Sequence, residues 1–166
     1  MTEPEEVIEA RLIALLAAAA PHIDVIGALT PAPEGEQKLS DNTYIAVFAD
    51  LAAPEIDWSG PGLPCAWSAR VVVHWANADG SAGYGFRATC RLVREVLDSY
   101  LGLNCTNFSA NGFECDDFQL SSTSTTLDAD GYAKSYPISI KGRYLPAPET
   151  TETTGTTETT NPTSNP

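Results

Sequence analysis

The chain has 166 residues, enough for one domain with a sizeable core. Nine Lys and Arg stand against 22 Asp and Glu, a formal net charge of -13; such a surface repels phosphate backbones and anionic membranes and argues against a basic DNA-reading groove. No apolar run reaches membrane-spanning length, and the acidic N-terminus lacks the positive region of a secretory signal, so the expectation is a soluble protein made in the cytoplasm with no membrane contact.

The first element is a helix in "TEPEEVIEARLIALLAAAAP". Thr2 and Glu5 have capping-box spacing, and Pro4 suits a first turn. Val7 or Ile8, Leu12, Leu15, Leu16 and Ala19 form one apolar stripe. Glu3, Glu5, Glu6 and Glu9 stand at the positive end of the macrodipole, and Pro21 ends the helix. "HIDVIGAL" is a short strand, and "TPAPEGEQKLSDN" is a loop by its Pro, Gly and Asp content. "TYIAVFADL" is a second strand, apolar on both faces and therefore central in a sheet. "AWSARVVVHWA" repeats that two-sided pattern after a long loop holding Trp58.

A glycine-rich turn then feeds a second helix, with Leu92, Val93, Val96, Leu97 and Tyr100 at helical spacing and Gly102 just past its end. "GFECDDFQLSSTSTTLD" is a fourth strand, "DADG" a turn, and "YAKSYPISIKGRYL" a fifth strand. In the last, Tyr136, Ile138, Ile140 and Tyr144 share one face, and Ser139, Lys141 and Arg143 share the other. From Pro146 the chain has no Leu, Ile, Val or aromatic residue, and such a segment cannot bury enough apolar surface to order itself. The expected fold is α+β: a mainly antiparallel sheet with two helices packed on it over residues 1–145, then a disordered Thr-rich tail over 146–166.

The strand, glycine turn and helix over residues 71–102 raise the question of a nucleotide. Gly80, Gly83 and Gly85 reverse the order of a dinucleotide fingerprint, and the turn lacks the lysine of a Walker loop. The turn therefore reads as a connector, with Asn77, Asp79 and Ser81 as helix caps. His22 and His74 have no nucleophile beside them in sequence, and no GxSxG elbow is present. Asp116 and Asp117 form a tight acidic pair, and strand alternation would send them to opposite faces. Cys65, Cys90, Cys105 and Cys115 include no CxxC pair. Cys90 reads as a core residue, and Cys105 and Cys115 flank a turn-rich stretch and could meet in space; a reducing cytoplasm disfavours a bond between them. No catalytic constellation, metal site or cofactor site emerges. Two-sided strands, a long Trp-bearing loop and a polar tail are the profile of a part that works by protein contact.

The helix-first opening "EEVIEARLIALLAAAA", the strand "TYIAVFADL", the block "RVVVHWANADGSAGYGFRATCRLVREVLDSYLG" and the closing "YAKSYPISIKGRYL" together resemble tail terminator (tail completion) proteins of long-tailed bacteriophages, over residues 3 to 145. The Thr-rich tail lies outside that pattern. The resemblance implies a homo-oligomeric ring, usually a hexamer, that caps the tail tube and joins it to the head connector. It implies a virion protein of the tail or neck, assembled in the host cytoplasm, with no enzymatic activity and no catalytic residues. Another neck or minor tail protein, or a small-ligand-binding α+β domain, remains as an alternative. The loop over residues 50–65 is the expected interface, with Trp58 as anchor beside Glu55 and Asp57. DNA passing through such a ring calls for an acidic lumen without specific nucleic-acid binding, and Glu34, Glu36, Asp50, Glu55 and Asp57 are the loop acids available for it.

Overall fold

The computed structural model describes residues 4–27, 43–54, 62–76, 84–128 and 131–145. Its elements run α1 (Pro4–Ala19), β1 (Asp24–Gly27), β2 (Thr43–Pro54), β3 (Leu63–Ala76), α2 (Tyr84–Asp98), a 3-10 segment η1 (Gly102–Phe108), β4 (Phe113–Leu120), β5 (Ser124–Asp128) and β6 (Gly131–Tyr144). One sheet in the order β1-β2-β3-β6-β4 joins all the strands, with β5 also paired to β6. Among the described strands only β1 and β2 run parallel; the other pairs are antiparallel. The architecture is α+β, as the patterning predicts, with both helices on one face of the sheet.

The two-sided apolar strands β2 and β3 are central, and β6 joins them along fourteen paired positions from Leu63↔Tyr144 to Ala76↔Gly131. Alternation then sets the layers. Ile45, Val47 and Ala49 of β2, Trp67, Ala69, Val71 and Val73 of β3, and Tyr136, Ile138 and Ile140 of β6 point to the helices and are buried. From α1 come Ile8, Leu12 and Leu16, and from α2 Cys90, Val93 and Leu97. Leu92 and Val96 of the predicted α2 stripe are only partly buried. Glu9, one of the acids expected at the positive end of the α1 macrodipole, is fully buried. It follows Ile8 on the inward face, and its carboxylate occupies the space left open by the missing side chain of Gly27 on β1.

Specific bonds lock the helices down. The Trp67 indole N–H donates to the Pro4 carbonyl at 3.2 Å, pinning the start of α1. The Tyr136 hydroxyl donates to the Cys90 carbonyl at 2.9 Å inside the core. Arg11 of α1 donates to the carbonyls of Phe108 and Asn107, at 3.0 and 3.2 Å, and so ties η1 to the helix layer. Phe108, Phe113, Phe118, Tyr100 and Trp67 form an aromatic cluster there, with edge-on and tilted contacts of 4.9 to 6.0 Å between neighbouring ring centroids.

The predicted fourth strand is interrupted. Its halves, β4 and β5, lie end to end along the same edge of β6. The cause is Pro137: its carbonyl faces that edge and accepts the Ser121 amide at 2.9 Å, but it has no N–H to return. The ladder breaks across residues 121–123 and resumes at Ser124↔Ser135. Helix α2 ends at Asp98. Gly102 adopts a left-handed φ of +62° at the start of η1, in place of the expected position directly behind the helix.

Candidate functional site

The outer face of the sheet is the first candidate. On β2 it presents Tyr44, Ala46, Phe48 and Asp50, and on β3 Ser68, Arg70, Val72 and His74, paired across the strands as Tyr44↔His74, Ala46↔Val72 and Phe48↔Arg70. Among the described residues no helix covers this face. Ala46 and Val72 are nonetheless buried, at 5% and 8% exposure, because their neighbours lie over them. Tyr44 stacks on His74 with centroids 4.6 Å apart and planes 11° from parallel, and the Arg70 guanidinium lies over the Phe48 ring at 5.5 Å. The result is a flat aromatic and aliphatic centre with charge at its rim. On the same face, Arg143 meets Asp116 at 3.5 Å and Glu114 at 3.8 Å. An apolar centre inside a polar rim is the anatomy of a protein–protein contact.

That rim corrects one expectation. Alternation predicts opposite faces for Asp116 and Asp117, but a β-bulge between Cys115 and Asp117 makes Asp116 an extra residue. Asp117 then pairs with outward-facing Lys141, and Phe118 returns to the core opposite Ile140. Both carboxylates stand outside the core, and Asp117 accepts a hydrogen bond from the Gln119 side chain at 2.9 Å.

The expected interface residues Glu55, Asp57 and Trp58 lie outside the described residues, as do Glu34 and Glu36 of the proposed lumen. Their surroundings are described. Strands β2 and β3 run further into the 50–65 segment than the sequence predicts, with Asp50↔Ser68, Leu51↔Trp67, Ala53↔Ala66 and Pro54↔Cys65 paired. Much of that segment is therefore hairpin strand. Asp50 is exposed on the outer face.

The second candidate is a groove between α2 and the β5–β6 hairpin, with a volume of about 400 Å³. Phe86, Cys90 and Tyr136 form its floor; Arg87, Arg91, Arg94 and the acidic Glu95 come from α2, Lys134 from β6 and Thr125 from β5. Four of the chain's nine Lys and Arg thus face one hollow in a strongly acidic protein. Arg94 is engaged with Asp98 through a two-pronged contact at 2.8 and 2.9 Å. Sequence reasoning missed this groove. The signal was present as Arg87, Arg91 and Arg94 at helical spacing, but the contributions of β5 and β6 depend on tertiary structure.

Burial holds the thiols of Cys90, in the groove, and Cys115, in the core, in their protonated form. Burial pushes the Cys90 thiol up, against weaker opposing effects of Tyr136 and Lys134. The Tyr136 hydroxyl is also raised, by burial first and then by Cys90. Cys105 and Cys115, predicted to approach each other, are neighbours and free thiols. Cys115 is pushed up to about 12, by burial first and then by Cys105. Protonated thiols are poor nucleophiles and poor metal ligands. Among the described residues no cluster of three His, Cys, Asp or Glu could hold a metal, and no helix is long and apolar enough to cross a membrane. Gly80 and Gly83 of the glycine turn lie outside the described residues; Gly85 is exposed, and a side chain there would meet nothing.

No family model and no curated protein matches the chain. Among solved structures it is similar to a chain from the virion of a native gene transfer agent particle, at 16% identity and a TM-score of 0.44, over 82% of this chain and 90% of that one. A likeness of that size does not bear on what the chain does.

Proposed function

We propose that this protein is a structural virion part of a long-tailed phage or phage-like particle, and specifically a tail terminator. It forms a homo-oligomeric ring, a hexamer, that caps the tail tube and joins it to the head connector. The observation that carries the reading is the outer sheet face: Ala46, Val72, Phe48 and Tyr44 give central strands an apolar second side that no described helix covers. Strands apolar on both faces belong between two layers, and a neighbouring protein supplies the second. The sequence patterns that resemble tail terminators add the direction of the reading, and the observed order of helices and strands is compatible with them.

In this reading the protein is not an enzyme and needs no cofactor. Its work is to hold shape at a junction where DNA passes without binding specifically. The test is to mix the purified protein with tail tubes and view them by electron microscopy. The expected result is a ring about six subunits strong, seated on one end of the tube. A protein that stays monomeric and leaves tube ends bare overturns the reading, and specific retention of a small anion by that monomer would favour a ligand-binding module.

A further inference from the structure

The groove beside α2 carries a charge pattern that contact with a tail tube does not require. Arg87, Arg91 and Arg94 follow one another at helical spacing and are all exposed, so they stand within about 60° of arc along about 10 Å of one helix face. Lys134 of β6 widens the row across the groove. Two carboxylates answer these four cations: Asp98 holds Arg94 at 2.8 Å, and Glu95 lines the groove itself. The balance is a net positive ridge. Among the described residues Arg87 and Arg91 make no ion pair, and the Lys134 ammonium lies over the Tyr136 ring at 5.7 Å. The acidity of the whole chain does not cancel the ridge. Eight of the nine Lys and Arg lie in the described residues, but only eleven of the 22 Asp and Glu do, so the fold is much nearer neutral than the chain. The field at the ridge is set by its near neighbours, because salt screens exposed charges more than about 8–10 Å away.

The ridge also differs from the outer sheet face in having almost no apolar surface to offer. Phe86, Cys90 and Tyr136 of its floor are 8%, 7% and 1% exposed. A protein partner is held by an apolar centre within a polar rim, and a single small anion by cations that converge on one point. Here the cations are strung out along the helix and the apolar groups lie beneath them. A row of exposed guanidinium groups of this kind fits a hydrated polyanion, whose interfaces are polar, positively charged and wet. With one phosphate per about 3.4 Å of axis on each strand of a DNA duplex, the row spans about three phosphates. We infer that the α2 ridge holds the phosphate backbone of duplex DNA, with Arg87, Arg91 and Lys134 on phosphate oxygens and Arg94 steadied beside them by Asp98. The contact reads no sequence, and its few charges keep it weak and salt-sensitive, so that DNA can slide past. The choice of DNA as the polyanion rests on the virion reading above, in which DNA passes the junction.

Binding of the full chain to a labelled DNA duplex, followed by fluorescence anisotropy across a salt series, tests this. The native chain should bind the duplex at about 50 mM salt and lose about tenfold or more in affinity by about 200 mM, with equal affinity for a second, unrelated sequence. Arg87→Gln combined with Arg91→Gln should weaken binding about tenfold or more at the lower salt and flatten the log–log salt slope by about two. Arg87→Lys combined with Arg91→Lys keeps the charges and should keep the slope. If the Gln pair disturbs the circular dichroism spectrum, Arg91→Gln alone reads the same contact, with a slope change of about one. A native chain that ignores DNA at low salt, or a Gln pair that binds as well as the native chain, would overturn the inference. So would displacement by inorganic phosphate at matched ionic strength, which assigns the groove to a single anion. Displacement by polyglutamate more readily than by unlabelled duplex would overturn it too, in favour of an acidic protein surface. Tube capping is read separately: a protein that caps tubes and ignores DNA fails this inference alone, and one that holds DNA but leaves tube ends bare fails only the terminator reading.

Discussion

The two faces of β2 and β3 are built from similar residues and have different fates. The inward face carries Ile45, Val47, Val71, Val73 and Trp67, and it is sealed by α1 and α2. The outward face carries Ala46, Phe48, Val72 and Tyr44, yet only Ala46 and Val72 of these are buried, under aromatic and guanidinium neighbours. Apolar pattern in a strand tells which side chains avoid water, and it does not tell whether the cover comes from the same chain. Stability should be concentrated on the inward face and assembly on the outward one.

The largest effect should come from Trp67→Ala. It removes a fully buried ring, the bond that pins Pro4 and the edge contact with Phe113 at 4.9 Å. Denaturant titration should show a loss of about 3–5 kcal/mol. Leu97→Ala should cost about 2–5 kcal/mol, and Leu92→Ala clearly less, since Leu97 is 1% exposed and Leu92 only partly buried. Equal costs for the two leucines would mean that α2 is rotated from the orientation described.

Alkaline pH sharpens the contrast, because the raised groups sit on the inward side. A thiol whose folded pKa is raised holds its proton longer in the folded state. Its contribution is complete below the unfolded value and is lost as pH climbs toward the folded one. For Cys115 that window runs from 9.0 to about 12, with a slope of at most about 1.4 kcal/mol per pH unit. Cys115→Ala should flatten the fall in stability measured across that range. Smallest of all is removal of residues 148–166, which contain no core-forming side chain. Its effect on the unfolding free energy should stay within about 0.5 kcal/mol, as for other surface changes. A large drop would show that the tail carries part of the fold.

Much of this architecture is legible in the sequence. Two-sided strands marked the sheet centre, the Tyr136–Ile138–Ile140 alternation marked the inner face of β6, and the stripe of α1 was read nearly as it packs. What escaped depends on neighbours distant in sequence. Glu9 is buried because Gly27, eighteen residues away, leaves room for it. The break between β4 and β5 is set by Pro137 on the opposite strand. The Asp116 bulge shows only in the register against β6. The arginine groove needed α2 and a hairpin brought together. Loop length alone points to Glu55, Asp57 and Trp58 as anchors, yet β2 and β3 pair well into that loop.

The claim that the outward face is an assembly surface is tested most directly by the solution mass of the Phe48→Asp variant beside that of the native chain, measured by sedimentation. Phe48 is half-buried, and the Arg70 guanidinium lies over its ring, so the substitution should cost the isolated subunit no more than about 1 kcal/mol. The native chain should sediment as a ring of about six copies, following the closed symmetry usual for such oligomers, and the variant as a folded monomer with an unchanged circular dichroism spectrum. A native chain that sediments as a monomer, or a variant that keeps the full ring mass, would contradict the account.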